Sequence, residues 1–100
     1  MAIPYVEIML DKPRRLRFGM GAVLEFEQLT SIKLMEVSKN ISPEAVIKIA
    51  WVMLKQEDKD LTLEETARLV DEYYEGNIYD FIEQVSKSIE LAFKVKNSKN

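Results

Sequence analysis

The chain has 100 residues, 47% of them hydrophobic, which suits one compact domain over 1–100 and is too little for two. It has neither cysteine nor histidine, so disulfides, thiolate metal sites and the commonest general base are excluded. No basic leader precedes an apolar run and none approaches the roughly 20 residues of a membrane span, which predicts a soluble cytoplasmic protein whose net charge of -3 is held in blocks.

The first block, through Phe18, is basic: Lys12, Arg14, Arg15 and Arg17 stand against Glu7 and Asp11. Tyr5 to Leu10 is rich in β-branched and aromatic residues and places Val6, Ile8 and Leu10 on one face of a strand. Asp11, Lys12 and Pro13 supply a turn. Arg14 to Phe18 then alternates Arg15 and Arg17 against Leu16 and Phe18, which predicts a hairpin over about 5–18 with a wet basic face and an apolar face.

Two strands alone are marginal, so the apolar face requires helices. Gly19 and Gly21 are expected to turn the chain into a helix over about 20–30, with Ala22, Val23, Phe26 and Leu29 inward and Glu25 and Gln28 outward. Leu34, Met35 and Val37 allow another turn or two before Asn40. Ser42-Pro43-Glu44 is a strong helix start, with a cap, a proline at the first position and an acid against the dipole. The helix over 43–55 has one polar line, Glu44, Lys48 and Lys55, shared by Trp51, and its composition predicts burial on nearly every side.

After a charged linker, Thr62-Leu63-Glu64-Glu65 matches a capping box and opens a helix over about 63–75, with Leu63, Ala67, Val70 and Tyr74 inward. Gly76 is expected to stop it and Asn77 to cap a helix over about 78–95. That last helix carries Ile78, Ile82, Val85, Ile89 and Ala92 on one stripe, flanked by Phe81 and Phe93, with acid-first pairs Glu83–Lys87 and Glu90–Lys94 outside. A polar, frayed tail follows from Lys96. The acids from Glu57 to Glu83 are opposed only by Lys59 and Arg68, and Lys87, Lys94, Lys96 and Lys99 follow against Glu90. Such blocks read as solvated faces or as head-to-tail attraction between copies. The fold class is α+β: an N-terminal hairpin packed on a bundle of about four helices.

Candidate sites are few. Arg14, Arg15 and Arg17 form a basic face that reads as a solvated hairpin surface or, alternatively, as phosphate contacts of a small nucleic-acid-binding or regulatory module. The apolar stripe of the last helix reads as core rather than as a coiled-coil seam. Tyr73, Tyr74 and Tyr79 gather at the Gly76-Asn77 corner as packing or as a partner's anchor, and Trp51 with Val52 has the same two readings. Adjacent acids such as Asp71-Glu72 and Glu64-Glu65 diverge on a helix and do not clamp a metal. Gly19-Met20-Gly21 lacks the lysine and hydroxyl of a phosphate loop. No nucleophile, base and oxyanion site assemble, so no catalytic residue, metal or cofactor is expected.

The order Arg15-Leu16-Arg17-Phe18-Gly19, then Ala22, then Glu25-Phe26-Glu27 and Thr30, resembles the N-terminal signature of the phage tail assembly chaperones, a family related to gene transfer agent tail-region proteins. The match by residue covers Arg15 to Thr30, and the layout of later helices is similar. Ser31 departs from the pattern, where a helix-ending glycine is expected. The resemblance implies a non-enzymatic protein of the host bacterial cytoplasm that coats the tape-measure protein, leaves as tail-tube protein polymerises, and self-associates as a homo-oligomer. A structural virion component is the remaining alternative.

Overall fold

The computed structural model describes residues 3–37 and 42–97, with side chains to residue 92. The order is β1 (Tyr5–Met9), β2 (Pro13–Arg17), α1 (Met20–Thr30), α2 (Leu34–Val37), α3 (Pro43–Lys55), α4 (Leu63–Tyr74) and α5 (Ile78–Asn97). Among the described residues this is the expected α+β arrangement, a hairpin followed by four main helices and one single-turn helix. The expectations for Asn40, Phe93, Lys94 and the tail side chains lie outside the described residues.

β1 and β2 pair antiparallel, Tyr5 with Arg17, Glu7 with Arg15 and Met9 with Pro13. Pro13 therefore opens the second strand, at a position where a missing N–H is tolerated, and is not only part of the turn. The parity of the strand sends Ile8, Leu10, Leu16 and Phe18 into the core, where they join Phe26 of α1, Ile49, Val52 and Met53 of α3, and Phe81 and Val85 of α5 in one cluster. α3 lies at its centre, touching β2, α1, α4 and α5. Ala45, Val46, Ile49, Ala50, Val52, Met53 and Leu54 are all buried, as the composition of that helix predicts.

Local signals set most helix ends. Ser42 accepts a hydrogen bond from the Ala45 N–H at 3.1 Å and Pro43 follows it. Thr62 and Glu65 form the reciprocal capping box at 3.0 Å each. α4 ends with Glu75 in the left-handed region and Gly76 at φ 85°, so the stop spans two residues, and only the second is a glycine. α1 ends at Ser31, φ 62°, whose N–H bonds the Glu27 carbonyl at 2.9 Å. Serine occupies the left-handed position that glycine favours.

Several inward positions differ from the expected ones. Leu29 is exposed although it follows Ala22 by seven residues and Phe26 by three: the buried stretch of α1 ends at Phe26, a turn before Leu29. In α4 the buried residues are Thr66, Leu69 and Val70, with Leu63 and Ala67 only half-buried. Thr66 can lie inside because its hydroxyl donates to the Thr62 carbonyl at 2.9 Å. On α5 the deepest line is Phe81, Val85 and Ser88, and Ile78, Ile82, Ile89 and Ala92 pack beside it half-buried. Among the described residues, no helix is long and apolar enough to cross a membrane.

Candidate functional site

The arginines of the basic strand face acids of their own chain. Arg14 shares the parity of Leu16 and is 8% exposed. Its guanidinium donates to both carboxylate oxygens of Asp11, at 2.8 and 3.0 Å, and to Asp58 at 3.2 Å. The Arg14 hydrogen bond holds the Asp11 carboxyl below its ordinary range, and the same bond raises Arg14. Arg15 and Arg17 take the outer face, where both approach one oxygen of Glu57, at 3.6 and 3.5 Å, and both lie over the Tyr5 ring at 5.3 and 5.0 Å. Arg14 is thus no part of a wet face. The basic strand is the partner of the acidic α3–α4 linker.

The same linker is fastened from its other side. The Trp51 indole N–H donates to the Leu61 carbonyl at 2.8 Å, and Lys55 lies 5.3 Å from the ring centroid while pairing with Glu25 of α1 at 3.4 Å. Trp51 does sit on the polar line of α3, but its one donor is spent inside the molecule. Val52 is fully buried in the core and is corrected from a contact residue to a packing residue: although it lies beside the polar line on α3, the surrounding elements cover it. Two shallow clefts, of about 210 and 260 Å³, flank the Arg14–Asp58 bridge. They are smaller than the usual small-molecule site and lined mainly by charged groups. Among the described residues, no group of three acidic, histidine or cysteine side chains is placed to hold a metal ion.

The tyrosine corner divides. Tyr74 packs inward, its ring edge-on to Phe81 at 5.2 Å, and burial followed by the charge of Asp80 raises its hydroxyl above the usual value. Tyr73 is half-exposed and Tyr79, at 86%, projects into solvent.

A surface that the sequence reading did not single out lies where the hairpin enters α1. Met20 is 69% and Leu24 55% exposed, one helical turn apart. Ile3, also exposed, lies against Gly19, close enough that an added Cβ would stand 2.7 Å from its terminal methyl. Leu29 and Met35 are exposed nearer the end of the α1–α2 segment. The available signal was the composition of 20–30, apolar on more sides than a two-stranded sheet and one helix cover. Gly21 belongs to this surface. It lies within α1 and not in the turn, with open space where its Cβ would be.

Comparison with known proteins returns no matching family, no matching characterised protein and no matching solved structure.

Proposed function

We propose that this protein is a non-enzymatic tail assembly chaperone of a phage or prophage, acting in the host bacterial cytoplasm by holding apolar helical stretches of the tape-measure protein until tail-tube protein replaces it. The observation that carries the reading is the exposed apolar surface of α1, within the Arg15 to Thr30 segment that resembles the family. Large apolar side chains concentrated on one helix mark an interaction surface, and Met20 supplies an unbranched side chain that adapts to varied apolar partners. An amphipathic helix laid along α1 is the recognition mode this surface suits.

The surface proposed to work is α1, not Trp51 and Val52, which are engaged internally. Tyr73 and Tyr79 remain available as a second contact. Phosphate binding by the hairpin gains no support, since Arg14, Arg15 and Arg17 already face Asp11, Asp58 and Glu57.

Co-expression with the tape-measure protein of the same genome tests the reading. The expected result is a higher soluble yield of that protein and co-elution of the two, both lost in a Met20→Asp/Leu24→Asp variant that still folds. No gain in yield and separate elution would overturn it.

A further inference from the structure

We propose that two copies of this chain pair through α1, antiparallel across a two-fold axis, with Met20, Gly21, Leu24 and Gln28 of one copy against the same residues of the other. Three features of α1 carry this, and none depends on the client reading above.

The first is a face without charge. At 100° per residue Met20, Leu24 and Gln28 follow one line with Gly21 beside it, opposite the buried Ala22, Val23 and Phe26. The acids of the helix fall to the flanks and are occupied: Glu25 with Lys55 and Gln56, Glu27 with the N–H of Leu34. A second copy therefore meets no like charge along the line.

Gly21 is the second. It has no positive φ and no neighbour within 4 Å of an added Cβ, so neither a turn nor internal packing calls for glycine. Inside a helix glycine is a poorer choice than alanine. Bare backbone facing outward lets another helix approach closely, which a side chain would prevent.

The third is the uncompensated dipole, and it selects the occupant. α1 has no acid in its first turn, no base in its last and no side-chain cap at Gly19. α3, by contrast, has Ser42, Glu44 and Lys55, and α4 has Thr62, Glu64 and Glu65. An antiparallel copy of α1 sets its negative end beside the first helix's positive end, and does so twice, because the contact is isologous. One helix thus supplies both halves of the complement. Eleven residues make a helix about 16 Å long, so the interface is small and the dimer weak and concentration-dependent.

Sedimentation of the chain alone, over a wide concentration range, is the test. Wild type is expected to pass from monomer to dimer, and Met20→Asp/Leu24→Asp to remain monomeric. Gly21→Ala is expected to raise the melting temperature measured in dilute, monomeric solution yet weaken the dimer severalfold, a combination that a purely structural role for Gly21 does not produce. As the native chain has no cysteine, Leu24→Cys reports directly: oxidation should give a disulfide-linked dimer, and Tyr79→Cys, on the exposed far corner, should not. A chain that stays monomeric throughout, or a dimer unmoved by the α1 substitutions, overturns the proposal. A monomeric chain whose α1 variants lose only the client also overturns it, and leaves the client reading standing.

Discussion

Ser31 and Glu75 end their helices in the left-handed region, at φ 62° and 36°, where a side chain costs on the order of 1 kcal/mol that glycine does not incur. Ser31→Gly is therefore expected to stabilise the fold by up to about 1 kcal/mol, part of it offset by the greater freedom of an unfolded glycine; urea unfolding would read it. Arg14 is the opposite case. Arg14→Met keeps the stem's packing but leaves Asp11 and Asp58 without their cation. Both carboxylates are more than a third exposed and rehydrate, so the expected loss is about 1–3 kcal/mol, below the cost of stranding a fully buried charge. The pH dependence has a definite sign. The Asp11 carboxyl lies below its ordinary 3.8 when folded, so its contribution is complete above that value and disappears as pH falls through the folded one. The gap in stability between wild type and Arg14→Met should narrow on acidification below about pH 4. Tyr74 acts at the other end: its raised hydroxyl favours the folded state fully below pH 10 and loses that contribution as pH rises beyond, a slope absent in Tyr74→Phe.

At the scale of elements, the hairpin, α3 and α4 were legible because their signals are local. Alternation, a serine before proline and a threonine three residues before glutamate each satisfy groups within a turn or two of themselves. What was not legible depends on distant partners. Arg14 shares the inward parity of Leu16, and Asp11 three residues earlier supplies two of its hydrogen bonds; the third, to Asp58, comes from beyond three helices, and nothing near Arg14 in sequence announces it. Trp51 was correctly placed on the polar line of α3, but its bond to Leu61 depends on where the linker returns. The α1 surface was missed because Leu29 extends an apparently apolar spacing on which it is not in fact buried. Two substitutions separate local from distant contributions. Thr62→Ala should cost about 1 kcal/mol through the lost cap. Trp51→Phe should cost about 1 kcal/mol through the lost hydrogen bond, and hydrogen exchange should rise in the linker with it, whereas Thr62→Ala should loosen the first turn of α4.

Over the whole molecule, the basic strand meets the first two acids of the acidic block within its own chain, Arg14 on Asp58 and Arg15 and Arg17 on Glu57. Half-exposed pairs of this kind are screened by salt. Moderate salt is expected to lower the unfolding midpoint slightly in wild type and less in Glu57→Gln, which denaturation at low and high ionic strength would resolve. The same enclosure bears on how the protein is made. Synthesis runs from the N-terminus, and the hairpin leaves the ribosome well before residues 57 and 58 and the helices that share its core. Until then Arg14 has only Asp11 of the turn, Arg15 and Arg17 lack Glu57, and Leu16 and Phe18 have little to pack on. Release of the α3–α4 linker gives the strand Asp58 and Glu57, but its floor is complete only when α5 follows with Phe81 and Val85, so the first half settles with the last helix and not before it.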